Sequence, residues 1–118
     1  MTEAIQQIHN MAMELSDLAR IKKAKEGDVK FYDEYLKAAY ELELFAALKL
    51  KNNSNPNDRL WQANILRSAG WLAYKCGYFK QAKNLVEMGL KIKTDGYALT
   101  KLEDLRKRVA EKLESEEI

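Results

Sequence analysis

Apolar residues recur along the chain at helical intervals. Between Glu3 and Lys25, Ile8, Met11, Ala12, Leu15, Leu18 and Ala19 follow one another at steps of three and four. Such spacing puts them on one face of a first helix. "EGD" at 26–28 ends it: Gly27 can take the left-handed C-terminal conformation, and Asp28 can cap the helix that follows. The spacing predicts a second helix over about Val29 to Lys51, with Tyr32, Tyr35, Leu36, Ala39, Leu42, Phe45 and Ala46 in its stripe. Leu44, Leu48 and Leu50 lie on other sides of that helix. A helix that is apolar most of the way round is buried on more than one face. It is therefore either the central helix or the cover of a partner chain.

The stretch "KNNSNPND" at 51–58 reads as a loop, rich in Asn and holding the only proline. Pro56 suits the entrance of a third helix, with Asn57 or Asp58 as its cap, running to about Cys76. A fourth helix is expected from Tyr78 to Lys93, a loop at "TDG" (94–96), and a fifth helix from Tyr97 or Ala98 to Glu114. Leu102, Leu105, Val109 and Leu113 make a narrow stripe on the fifth, which suits a terminal helix covering the core on one side. The "ESEEI" tail is expected to fray. The fold class is all-α: one domain over 1–118, about five helices in antiparallel hairpins, with a hairpin at 59–93 and a capping helix at 97–114.

Small residues punctuate the third and fourth helices. Gly77 falls where one must end and the next begin, and a glycine there has no steric penalty. Gly70 on one arm and Ala82 on the other are expected to face each other and let the axes approach closely, with Phe79 and Val86 as larger neighbours. Gly89 predicts a second close contact, with the fifth helix. Leu66, Gly70, Tyr74, Gly77, Phe79, Ala82, Val86, Gly89, Leu90 and Ile92 together resemble one tetratricopeptide repeat, over about 63–94. The likeness covers about a quarter of the chain. Ala73 stands where that family often has Tyr, and Thr94 where it closes with Pro. Steps of one repeat length in either direction match poorly. The resemblance implies a single repeat-like hairpin within a five-helix domain.

Composition supports helices and limits the partners. The chain has 118 residues, 47% of them hydrophobic and 32% charged, with five glycines and one proline. It is long enough to bury a core without disulfides or metals. A net charge of +2 gives no general case for a nucleic-acid partner. Cys76 is the only cysteine, so it has no internal disulfide partner, as suits a reducing cytosol. The first residues lack a basic stretch before an apolar run, and no run approaches a membrane span. These features predict a soluble cytoplasmic protein.

Chemistry has little to stand on. His9, the only histidine, reads as a surface or boundary residue, and no Asp, Glu or Cys completes a familiar ligand motif with it. The Arg-to-His spacing of the helical HEPN nucleases is missing. Glu41/Glu43, Asp33/Glu34 and Glu103/Asp104 read as solvated surface, because near neighbours point to different helix faces. Cys76 reads as a small core residue. No catalytic residue, cofactor or metal site is expected, and the chain is expected not to be an enzyme.

One face stands out. Asn64, Arg67, Trp71, Tyr74 and Lys75 line one side of the third helix, opposite Ile65, Leu66, Ala69, Leu72, Ala73 and Cys76. In tetratricopeptide-repeat proteins the first helix of each hairpin lines a groove for peptides, so the resemblance implies a partner-binding role for Arg67, Trp71 and Tyr74. The competing reading has the second helix cover Trp71 and Tyr74 as core. The function expected is a protein–protein interaction module or small adaptor, with possible homodimerisation through Leu44, Phe45 and Leu48. The alternative is a nucleic-acid-associated protein using Lys80, Lys83, Lys91 and Lys93, with Lys75 and Tyr78.

Overall fold

A computed structural model describes residues 2–50, 56–92 and 96–116. Five α-helices account for almost all of them: α1 (Glu3–Glu26), α2 (Val29–Lys49), α3 (Pro56–Lys75), α4 (Phe79–Lys91) and α5 (Gly96–Glu116). The described residues contain no strand. The expected all-α class is therefore the observed one.

The helix ends follow from local chemistry. The Thr2 hydroxyl accepts from the Ile5 amide at 3.2 Å and opens α1. Gly27 closes it in the left-handed conformation, φ 65°, and its N–H donates to the Lys23 carbonyl. The Asp28 carboxylate then accepts from the Phe31 amide at 2.9 Å and caps α2. Pro56 and Asp58 lie within α3. The expected loop thus ends earlier than 58, and its residues 51–55 lie outside the described ones, as does most of the loop at 94–96. Asn57 and Asp58 sit within the first turn of α3 and do not precede it. At its other end α5 continues through Glu116 instead of fraying from Glu114.

The turn between α3 and α4 is as tight as the sequence implied. The Tyr78 amide donates to the Ala73 carbonyl at 2.8 Å and the Gly77 amide to the Tyr74 carbonyl at 3.1 Å. This pair of bonds is a Schellman closure, which requires its penultimate residue in the left-handed region, and Gly77 has φ 82°. Gly70 has a different neighbour from the one expected. A Cβ there would meet Leu105 Cδ2 at 3.2 Å and Val86 Cγ2 at 3.4 Å. Gly70 lies against Val86, one helical turn beyond Ala82. It therefore lets α5 as well as α4 approach α3. Gly89 does meet α5: a Cβ would stand 2.8 Å from Leu102 Cδ2.

Each helix packs on the next in the chain, and α3 also packs on α5. The principal extents, 43 × 39 × 21 Å, are those of a slab two helices thick. The core between the helices is built from Leu36, Leu50, Ile65, Leu66, Leu72, Val86, Leu102 and Val109. The α5 stripe is buried as expected. The α1 stripe is only partly so: Ala12 and Ala19 are buried, whereas Met11 and Leu18 are exposed. Small residues at the contact bring α2 close to α1, and the larger ones fall to either side of that line. On α2, Leu50 belongs to the core, Leu44 packs against it half-buried, and Phe45 and Leu48 turn outward. Spacing alone puts Phe45 in the expected stripe. In the structure that stripe runs through Leu36, Ala39, Tyr40, Glu43, Ala46 and Ala47, leaving Phe45 beside it.

Candidate functional site

The predicted face of α3 survives as a surface, and α5 completes it. Arg67 and Trp71 of α3 line a cleft with Tyr97, Lys101, Asp104, Leu105 and Arg108 of α5, with a volume of about 240 Å³. The α5 residues stand at 97, 101, 104 and 108, on the side of the helix away from Leu102 and Val109. They repeat the four–three step of Arg67, Trp71 and Tyr74 on α3. Two helices packed through Gly70 and Leu105 therefore present matching stripes on the same side of the slab.

Trp71 is 36% exposed, so α2 does not cover it as core. Tyr74 is half-buried. Its ring stacks on Trp71 at 5.5 Å, with the planes 14° apart, and meets Phe79 at 5.6 Å. Cations cluster on these rings. Lys75 Nζ and the Arg108 guanidinium lie 5.7 and 5.9 Å from the centre of Trp71. Arg67 and Lys101 lie 5.9 and 5.3 Å from the centre of Tyr97. At such distances the negative face of an aromatic ring attracts and orients a cation. Asn64 stands apart from this group, donating from its side chain to the Leu60 carbonyl at 3.0 Å.

Burial pushes the Lys75 ammonium's pKa down, and the nearby Arg20 of α1 adds to the effect. The Arg67 Nε is buried and finds no acceptor among the described residues. A guanidinium N–H taken from water without a partner is costly.

A second polar group lies behind this face. His9 of α1 meets Glu43 of α2, with Nδ1 at 2.8 Å from both carboxylate oxygens. The Glu43 side chain is completely buried and the His9 side chain 21% exposed. The Trp61 ring of α3 stands edge-on to the imidazole at 6.4 Å. The bond to Glu43 raises the His9 pKa; it outweighs burial, which acts the other way, and the weaker repulsion from Arg67. Glu43 is thus not the solvated surface residue that its neighbour Glu41 suggested. The missed signal was its register: position 43 lies inside the stripe formed by Leu36, Ala39, Tyr40, Ala46, Ala47 and Leu50. A carboxylate at the centre of a buried stripe requires a charged or hydrogen-bonding partner.

The remaining candidates are scattered. Cys76 is half-buried, and burial raises its thiol to about 11, far from the range of a reactive thiolate. Tyr78 packs on Tyr40 at 5.5 Å instead of joining a lysine surface. Lys80, Lys83 and Lys91 are exposed on α4, while Lys93 lies outside the described residues. Lys83 faces a second groove together with Glu87, Arg106 and Glu114, so its surroundings are mixed in charge. Phe45 and Leu48 are each 47% exposed, with Lys49 Nζ 5.2 Å from the Phe45 ring centre. Among the described residues, no helix is long and apolar enough to cross a membrane.

Compared with known proteins, the chain matches no family model, no curated protein and no solved structure.

Proposed function

We propose that this chain is a non-enzymatic protein-interaction module, a small cytoplasmic adaptor that holds a peptide segment of a partner in the α3–α5 cleft. One observation carries the reading: Arg67 and Trp71 from one helix meet Tyr97, Lys101 and Arg108 from another around a single cavity. Arg, Trp and Tyr dominate the energetics of protein interfaces because they combine large contact area with directed hydrogen bonds. The Cys76 thiol stays protonated at neutral pH, so it is not a ready nucleophile. The hairpin likeness to tetratricopeptide repeats is consistent with this role but does not carry it.

The test is affinity capture from the source cell's lysate, with nuclease treatment, using the wild-type chain and an Arg67→Ala/Trp71→Ala variant checked by circular dichroism. A partner that survives nuclease and is lost with the variant supports the module. Retention by the variant, or loss with nuclease, refutes it.

A further inference from the structure

We propose that the occupant of the α3–α5 cleft is an acidic peptide segment, whose side-chain carboxylates seat on Arg67, Lys101 and Arg108. The proposal rests on the interaction-module reading and gives its partner a chemistry.

Charge within the cleft is unbalanced. Three cations, Arg67, Lys101 and Arg108, line it against one carboxylate, Asp104. The salt bridges among the described residues pair His9 with Glu43, Arg20 with Asp17 and Lys22 with Glu26; none reaches a cleft cation. The cations are held by rings instead, Arg67 and Lys101 over Tyr97 and Arg108 over Trp71. A guanidinium lying on an aromatic face keeps its in-plane N–H edges free, and those edges match a carboxylate in a two-point contact. The Arg67 Nε is itself buried, so the terminal nitrogens of Arg67 are the part of the side chain offered to a ligand. Beyond the cleft, burial first and then Arg20 and Lys23 of α1 disfavour the charged form of Lys75, while Asp17, which pairs with Arg20, acts the other way.

The same rings argue against a single-stranded nucleic acid. Non-specific strand binding needs open aromatic surface for successive bases. Trp71 already stacks on Tyr74 and carries Lys75 and Arg108 over its ring. Tyr97, 67% exposed, is then the open ring of the cleft, too little for successive bases. Asp104 would also repel a continuous phosphate chain, whereas a peptide with spaced carboxylates can present a backbone amide or a neutral side chain to it.

The experiment is fluorescence anisotropy on the full chain with three labelled probes: an Asp/Glu-rich peptide, its Asn/Gln isostere, and an oligothymidylate of matching length. The acidic peptide is expected to bind about tenfold or more tightly than the isostere, since charge-assisted hydrogen bonds are stronger than neutral ones. Arg108→Gln should weaken it by a similar factor without changing the circular dichroism, while Lys112→Gln, outside the cleft, should leave it unchanged. Equal binding of the isostere, oligothymidylate binding as tight as the peptide's, or indifference to Arg108→Gln would each overturn the inference. If the acidic peptide fails to bind while a nuclease-resistant partner still depends on Arg67 and Trp71, the chemistry is wrong and the module stands. If that capture fails too, both fall.

Discussion

Replacing His9 with alanine isolates the pairing behind the cleft. Glu43 is fully buried, and both its oxygens lie 2.8 Å from His9 Nδ1. Removing one partner of a buried ion pair leaves the other uncompensated and costs about 3–5 kcal/mol. Loss of the edge-on contact with Trp61 adds about 0.5–1.5 kcal/mol. A domain of this size has a total stability of about 5–15 kcal/mol, so the variant should be close to unfolding. Urea titration followed by far-ultraviolet circular dichroism measures the change directly. The double variant His9→Leu/Glu43→Leu should recover most of the loss, because apolar replacement of a buried pair is often neutral or stabilising. Protonation supplies a second reading. The folded His9 pKa lies above its ordinary value of about 6.5, so its contribution is complete below that pH. It is then lost as the pH rises through the folded value. Wild-type stability should fall as the pH rises above about 6.5, and His9→Ala should flatten that slope. A His9→Ala loss below about 0.5 kcal/mol, the usual size of a surface change, would refute the buried-pair account.

Two further substitutions test the packing. Gly89→Ala would place a methyl 2.8 Å from Leu102 Cδ2, and overpacking costs about 1–3 kcal/mol against a helix-propensity gain of about 1. Net destabilisation in the urea titration, relieved by Leu102→Val, is expected; a stabilised variant would mean that Gly89 does not set the α4–α5 spacing. Phe45→Asp should leave the fold intact, because Phe45 is 47% exposed. If the chain self-associates through Phe45 and Leu48, light scattering should show a dimer that this variant converts to monomer.

Helix positions were legible because they depend on neighbours in sequence. The Gly27–Asp28 break, the Gly77 turn and the α5 stripe each follow from a few adjacent residues. What depended on distant residues was not. Glu43 looked solvated because its partner lies 34 positions away. Gly70 was matched with Ala82 because α5 could not be placed against α3 from spacing alone. Half of the cleft was found and half missed for the same reason. Arg67 and Trp71 stand out as a face of one helix, whereas Tyr97, Lys101 and Arg108 lie on another helix whose apolar stripe alone was informative. Their shared four–three step was visible in the sequence, but only the contact of α3 with α5 makes it one surface.

The order of helix contacts also bears on how the chain folds. Apart from the α3–α5 contact, every major interface joins helices that are adjacent in sequence. Loop closure for each is short, so little entropy is lost before contacts compensate for it. Chains built from such local contacts fold fast, from about microseconds to milliseconds. The cleft is the exception, since α3 and α5 meet only after α4 has doubled back between them. Its walls come from helices that are not neighbours in sequence, so a partner bound there would hold shut the one major interface that the chain's local order does not secure.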